Sequence, residues 1–265
     1  MKKRVLVLSC GSLTATDMSV SLKDNDEYEL WGTSIYKDHG IYTYKNYIPD
    51  IPKISESNFI QVLNQKIKKY NISYLVPTHE DMCLFLQENK EKINAITLSS
   101  NYETSLICRY KTKTYEKMKN YNFIPKVYRK EEVEKYPVFV KKDTDQGARN
   151  CYKVNNKQEL DLYTKNSDMI ICEFLPGDEV TVDCFTNKDR KLIFCNPRAT
   201  DRMLAGIDVH SRRIKLDEEI KYIAESLNKE IVFRGCWFFQ IKKDENGKFK
   251  LLEISTRLAG TFSLS

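Results

Sequence analysis

The residues of this sequence best able to do chemistry are charged and polar side chains set into otherwise apolar, strand-like runs. Near the C-terminus, Gly235 to Lys242 and Phe249 to Ser255 read as two strands around Glu245-Asn246-Gly247. Asn-Gly between such runs is a strong hairpin signal. Alternation puts Cys236, Phe238 and Gln240 on one face of the first strand, and Trp237, Phe239 and Ile241 on the other. On the return strand Phe249, Leu251, Glu253 and Ser255 share a face. A turn that pairs Asp244 with Phe249 sets Gln240 opposite Glu253, and a slip of one residue breaks that juxtaposition. Oxygens amid apolar strand residues need partners, because an unpaired buried carboxylate is costly. A hard cation such as Mg²⁺ takes oxygen ligands of this kind together with substrate phosphates. Arg257, two residues past Ser255, would then reach a phosphoryl group. A plain Glu–Arg or Glu–Lys pair accounts for the same letters.

Two further segments carry similar chemistry. In Glu173-Phe174-Leu175-Pro176-Gly177-Asp178-Glu179 an apolar strand ends in a carboxylate, and a Pro-Gly turn leads to a second carboxylate opening the next strand. Such a backbone can hydrogen-bond an adenine edge, and an acid six residues on can reach ribose hydroxyls; a strand–turn–strand with surface acids explains the same residues. Lys141 closes the run Val138-Phe139-Val140 before a polar loop, Asp143 to Asn150, that contains Gly147. There it suits a phosphate as a point charge, or simply reaches solvent. Lys111 sits in a basic stretch, Arg109-Tyr110-Lys111-Thr112-Lys113, where composition alone supplies lysines.

The elements that must position these residues fall into two halves. Arg4 to Ser9, Glu29 to Thr33 and Ser73 to Pro77 read as strands, alternating with helices to Lys23, from about Ser57 to Tyr70 and from Glu80 to Ile93. Phe59, Val62, Leu63, Ile67 and Tyr70 recur at helical spacing. Strands alternating with helices imply a parallel α/β sheet. After about residue 105 the pattern changes to α+β: a basic helix over 104–122, a strand over 137–142, another through Met169 to Leu175, and hairpins from Glu179 to Cys195 and from Gly235 to Ser255. Gly11 follows the first strand without a second or third glycine, so no dinucleotide fingerprint is present.

Composition narrows the classes. At 265 residues, with hydrophobic residues at 41% and charged residues at 30%, the chain has the length for two domains and can bury a core without metals or disulfides. Met1-Lys2-Lys3-Arg4 resembles a signal-peptide start, but Val5 to Leu8 is too short an apolar run. No stretch approaches the roughly 20 apolar residues of a membrane span. Eight cysteines without a C-x-x-C pair, and three histidines, read as small hydrophobes of a reducing cytosol rather than as disulfides or a zinc site. The net charge of +6 is spread along the chain, which argues against a nucleic-acid partner.

Taken in order, these segments resemble the ATP-grasp superfamily, in its carbamoyl-phosphate-synthase large-subunit-like branch. The carriers are Val140-Lys141-Lys142, Glu173-Phe174-Leu175 through Glu179 with Asp183, and Glu253-Ile254-Ser255-Thr256-Arg257. The resemblance implies a Rossmann-like pre-ATP-grasp domain over 1–105 and an ATP-grasp domain over 106–265, its small lid at about 110–175. It puts Lys111 and Lys141 on ATP phosphates, Glu173, Phe174 and Leu175 at the adenine, and Glu179 on the ribose. Gln240, Glu253 and Ser255 take the Mg²⁺ positions, with Mn²⁺ as an alternative ion. Arg257 takes the transferring phosphoryl group, and Arg198, Arg202 and Gly206 reach toward substrate. The implied activity is ATP-dependent activation of a small-molecule carboxylate as an acyl phosphate, attacked by an amine or similar nucleophile, in a cytoplasmic protein compatible with a homodimer. The alternative is an ATP-binding protein with a degenerate metal site and an accessory role. Three departures bear on this: Ser255 replaces an asparagine, Lys142 stands where proline is usual, and the chain stops eight residues past Arg257, which implies a shortened acceptor site.

Overall fold

A computed structural model describes residues 2–144, 150–165, 168–204 and 207–264. Its first sheet is parallel, in the order β3-β2-β1-β4-β5, from β1 (Lys3–Leu8), β2 (Tyr28–Thr33), β3 (Asn46–Tyr47), β4 (Tyr74–Pro77) and β5 (Ile96–Thr97). The Val5–Leu8 run is apolar without alternation because both faces of its strand are covered. On one face Leu6, Leu8 and Leu75 pack with Phe59, Leu63 and Ile67 of helix α3 (Phe59–Tyr70) and Leu86 of α4 (Glu80–Glu88). On the other, Val5, Val7 and Val76 meet Ala15 and Met18 of α1 (Leu13–Ser21) and Tyr44, which follows the short α2 (Gly40–Thr43). The short strands β3 and β5 extend the sheet at its two edges beyond what alternation predicts.

The expected single helix over 104–122 is two, α5 (Tyr102–Arg109) and α6 (Lys111–Lys117). The chain turns extended at Tyr110, and the freed amides of the second helix are captured from another part of the fold. Asp143 accepts from the Lys111 amide at 3.3 Å through its carbonyl, and its carboxylate takes the Thr112 amide at 2.9 Å and the Thr112 hydroxyl at 2.8 Å. A helix start leaves orphan N–H groups, and a carboxylate is among the best groups to satisfy them. α4 likewise ends at Glu88 rather than Ile93, giving way to a single tight turn over Lys90–Lys92.

Two antiparallel sheets follow. The smaller runs β6-β9-β7-β8, from β6 (Val127–Tyr128), β7 (Val138–Lys142), β8 (Cys151–Val154) and β9 (Met169–Glu173), with α7 (Lys157–Tyr163) against it. The larger runs β12-β11-β10-β13-β14, from β10 (Glu179–Thr186), β11 (Leu192–Leu204), β12 (Ile207–Arg213), β13 (Gly235–Lys243) and β14 (Phe249–Ser255). β11 is longer than the hairpin expected to end at Cys195, and β12 is an addition to it. Helix α8 (Glu218–Glu230), capped by Asp217 on the Ile220 amide, lays Ile220, Ile223, Ala224 and Leu227 on one face of the large sheet. There they meet Val180, Val182, Trp237, Phe239, Ile241, Leu251 and Ile254. Burying a side chain such as Leu227 contributes roughly 1.5–3 kcal/mol. The opposite face of the same sheet is left for polar residues. Among the described residues, no helix is long and apolar enough to cross a membrane.

The last hairpin corrects the sequence reading in one instructive way. Gly247, with φ at +74°, lets the Asp244 amide close on the Lys248 carbonyl, so Lys243 rather than Asp244 faces Phe249. The strands are one residue out of the expected register at the turn. Ile241 then pairs with Leu251, but Gln240 pairs with Glu253, leaving Leu252 unopposed. This bulge restores the expected juxtaposition of Gln240 and Glu253. It also overturns the expectation that Phe249, Leu251, Glu253 and Ser255 share a face. Phe249 and Leu251 lie in the core, and beyond the bulge it is Ile254 that enters it, while Glu253 and Ser255 turn to the polar face.

Candidate functional site

On that polar face a row of side chains crosses the large sheet in register: Arg198 of β11 pairs with Thr181 of β10, Thr181 with Gln240 of β13, and Gln240 with Glu253 of β14. Directly opposed residues have Cβ atoms about 4.5–5.5 Å apart, so the row is continuous. The Gln240 amide nitrogen lies 3.4 Å from Glu179 Oε1 and 3.4 Å from Thr181 Oγ1, and Lys242 Nζ is 3.7 Å from Glu179 Oε2. Gln240, Glu179 and Glu253, separated by up to 74 positions in the chain, thus form one polar strip.

Both lysines arrive at this strip from outside the sheet. Lys111 opens α6, fixed there by the Asp143 cap, and its ammonium sits 3.2 Å from Glu253 Oε2. Lys141, on β7, is 5% exposed and crosses to the large sheet. Its ammonium donates to the Tyr115 hydroxyl at 2.8 Å and to the Leu252 carbonyl at 3.2 Å, and the Tyr115 hydroxyl donates to that carbonyl at 2.8 Å. The bulge explains the arrangement: an unopposed residue keeps its backbone groups out of the ladder, and here the freed carbonyl docks a lysine from the smaller sheet. Tyr115 lies one helical turn from Lys111, so the two share a face of α6. Burial, reinforced by Cys172, Glu253 and Asp143 nearby, pushes the Tyr115 hydroxyl well above the usual phenol range. It is therefore a neutral donor and acceptor. Burial also raises the Cys172 thiol despite the opposing charge of Lys141, so the cysteine stays protonated and inert.

The other predicted residues lie elsewhere. Ser255 and Arg257 face Glu80, the first residue of α4: Ser255 Oγ donates to Glu80 Oε1 at 2.6 Å, and Arg257 Nη2 approaches the same oxygen at 2.9 Å. Burial alone would raise the Glu80 carboxyl, but the Arg257 charge and the Ser255 hydrogen bond outweigh it and hold the group below its ordinary value. Arg198 is closed off from solvent and its Nε is paired with Asp183 at 2.7 Å, while its Nη1 donates to both Ser211 and Thr261. Glu173 accepts from the Lys126 amide at 2.8 Å, and Lys153 stands 4.5 Å from the ring centre of Phe174. Leu175 is buried, and Arg202 is exposed where β11 pairs with β12. Gly147 and Gly206 lie outside the described residues. Sequence reasoning missed Glu80, Tyr115 and Asp143. Of these, Tyr115 carries a legible signal, an aromatic one turn from Lys111; Glu80 offers only an acid opening a helix three residues past the strand that ends at Pro77.

The donor set fits a magnesium–nucleotide complex in part. Two buried ammonium groups suit phosphate oxygens, and Glu253 beside the Gln240 amide suits a hard cation that completes its shell from phosphates. Ser255 donates its hydroxyl proton to Glu80, so it would add to the set only through the lone pairs of its oxygen. Among the described residues no three His, Cys, Asp or Glu side chains are gathered as a cation site, so such an ion would lean on the nucleotide.

Residues 165–265 match a family described as ATP-grasp in the biosynthetic pathway with Ter operon. Over 98% of its length the chain superposes on 66% of the biotin carboxylase of Campylobacter jejuni, with a TM-score of 0.77 at 16% identity. The fold is ATP-grasp. Its parallel N-terminal sheet followed by two antiparallel sheets corresponds to the pre-ATP-grasp and ATP-grasp parts of that enzyme. The same ATP-grasp architecture recurs in the biotin carboxylase domain of Hydrogenobacter thermophilus 2-oxoglutarate carboxylase, a dimer in complex with MgADP and bicarbonate. There the TM-score is 0.75 at 15% identity, covering 97% of this chain and 64% of that one. An L-amino acid ligase from Bacillus licheniformis shares it as well, with a TM-score of 0.72 at 14% identity over 99% of this chain and 69% of that one. The chain thus spans about two thirds of each of these solved chains. No curated protein sequence matches it.

Proposed function

We propose that this chain binds Mg²⁺·ATP along the polar face of the large sheet and uses it to activate a small-molecule carboxylate. The carboxylate oxygen attacks the γ-phosphorus, the bond to the bridging oxygen breaks, and ADP leaves. An amine or similar nucleophile then attacks the acyl carbon of the acyl phosphate and releases inorganic phosphate. The observation that carries this reading is the meeting of Lys111, Lys141, Gln240 and Glu253 around one bulge, from two sheets and a helix. Phosphoryl transfer asks little covalent help of a protein; positioning and charge compensation dominate. Lys111 and Lys141 would neutralise phosphate oxygens, and their fixed partners limit the reorganisation this requires. Glu253 and Gln240 would hold Mg²⁺, which when bound screens the phosphate charge. Glu173, Phe174, Leu175 and Glu179 would receive the nucleoside, with Arg257 at the phosphoryl group.

The wild-type chain should release ADP in a manner dependent on one member of a panel of carboxylates and amino acids. Lys141→Ala and Glu253→Ala should each lower that turnover by about 10²-fold or more. Equal turnover in all three proteins would sink the assignment. A second reading, nucleotide binding without turnover, draws on Ser255 offering a metal only a hydroxyl oxygen, and that from a group already hydrogen-bonded to Glu80. It predicts Mg²⁺-dependent ATP binding with no ADP release on any carboxylate tested.

A further inference from the structure

Beyond the bulge, the polar face of β14 continues at every second residue: Glu253, Ser255 and, just past the strand, Arg257. Glu253 meets Lys111 from α6, whereas the next two meet a carboxylate from α4, a helix packed on the N-terminal sheet. Glu80 reaches them from a sequence distance of 175 residues, and both of its contacts fall on one oxygen. The second oxygen, Oε2, is buried with no hydrogen-bond partner, as is Nε of Arg257. Arg257 also donates from Nη1 to the Leu258 carbonyl at 2.8 Å and lies 5.2 Å from the ring centre of Phe238. A guanidinium carries five N–H donors in a rigid plane. Glu80 and Leu258 hold this one at two corners and the Phe238 ring supports it, so the direction of its remaining donors is fixed.

We propose that Glu80 is a positioning residue for phosphoryl transfer: it orients Arg257 through Nη2 and engages the Ser255 hydroxyl. This rests on the reading of Arg257 as the phosphoryl contact given above. Two features of the cluster favour this role over a plain structural ion pair. A buried pair is weak evidence for stability, because desolvation offsets the Coulomb attraction. Yet this one leaves a donor and an acceptor unsatisfied, which a purely structural pair would gain by closing into a two-point contact. The acid also stands at the start of α4, where a negative charge is favoured, in keeping with the Arg257 charge and Ser255 hydrogen bond that hold its carboxyl below the ordinary value. One carboxylate therefore ties helix α4 of the N-terminal part to the arginine beyond β14. Transfer efficiency would depend on how the two are docked.

The test compares how MgADP and the magnesium complex of the non-hydrolysable analogue AMP-PNP bind to the full chain, by titration calorimetry. Their affinity ratio isolates what the protein gains from the γ-phosphoryl group. Glu80→Gln keeps the shape and one acceptor; it should leave MgADP affinity within about twofold while cutting the γ-phosphoryl gain about tenfold, the scale of a lost charged hydrogen bond. Arg257→Lys should cut the gain equally, and the double variant should lose no more than either single one, since coupled residues are non-additive. Glu80→Asp should recover part of the gain. A folded Glu80→Gln protein with the wild-type gain, or losses that add in the double variant, would overturn the role of Glu80 alone. Failure of the wild type to bind MgADP at all would instead remove the nucleotide reading on which the role depends. Should Glu80→Gln prove unstable, Ser255→Ala tests the same link from the other side, because it removes one of the two bonds on Glu80. It should lower the gain without changing MgADP affinity, and an unchanged gain counts against the proposal.

Discussion

Lys141 and Glu253 stand out in the sequence because each interrupts an apolar run, and buried charge demands a reason. What they contact is not written beside them. Lys141 is held by a tyrosine hydroxyl and a backbone carbonyl, and the bond from that hydroxyl to the carbonyl spans 137 residues. Removing only the Tyr115 hydroxyl, in Tyr115→Phe, leaves the carbonyl with one donor and the ammonium with one acceptor fewer. The expected cost is about 0.5–1.5 kcal/mol of stability, measured by denaturant unfolding. MgADP affinity should fall several-fold, because Lys141 loses its orientation, and an unchanged affinity would contradict the part given to Tyr115. Arg198 illustrates the opposite lesson. Its type and motif suggested a reach toward substrate, yet it is enclosed with Asp183, Ser211 and Thr261. Charge alone does not say which way a long side chain turns.

At the scale of elements, the three central strands of the first sheet, the helices around them and the hairpin strands β10, β13 and β14 were legible from periodicity and turn residues. Their boundaries and register were not. The helix expected over 104–122 breaks at Tyr110 because Asp143, some thirty residues on, supplies a cap that local propensity cannot foresee. The bulge at Leu252 was equally invisible, although everything at the site depends on it. Alternation along Phe249 to Ser255 predicts one unbroken face, and only the pairing with β13 shows that the face changes at the bulge. Deleting Leu252 should therefore leave Glu253 opposite Gln240 and Ile254 in the core, because Leu251 and Glu253 become neighbours in a regular strand, and should remove the carbonyl that accepts from Lys141 and Tyr115. That variant should fold but bind MgADP several-fold more weakly, since two buried donors lose their acceptor. Leu252→Ala retains the carbonyl and should keep MgADP affinity near wild type. Far-ultraviolet circular dichroism checks the fold and titration calorimetry the affinity, and a folded deletion variant with wild-type MgADP affinity would refute this view of the bulge.

At the scale of the whole molecule, the two halves are stitched along one line. Ser100 bonds the Arg234 backbone, Thr104 the Val232 carbonyl, Arg109 the Asp81 carboxylate, and Glu80 the end of β14. The polar strip of the large sheet receives Lys141 from the smaller sheet and Lys111 from the connecting helices, so a nucleotide on it would bridge all of these parts. Mg²⁺·ATP at about 100 times its Kd should then raise stability by about 2.7 kcal/mol, seen as an upward shift in Tm. The shift should shrink without Mg²⁺ and vanish in Lys141→Ala, and a shift of the same size in that variant would argue against the strip as the site.

The sequence by itself determined the fold class, a parallel sheet followed by antiparallel ones, and the charged and polar residue types of the candidate site. Periodicity, turn residues and the interruption of apolar runs by charge are local properties, and each is set by which side chains can be buried unaided. Tertiary structure alone decided which charges meet: that Glu253 faces Lys111, that Lys141 docks on the Leu252 carbonyl, and that Ser255 and Arg257 answer to Glu80. These contacts join residues far apart in the chain, and they depend on a one-residue bulge. A single unopposed residue reverses the facing of every side chain after it, because the period of a strand is two.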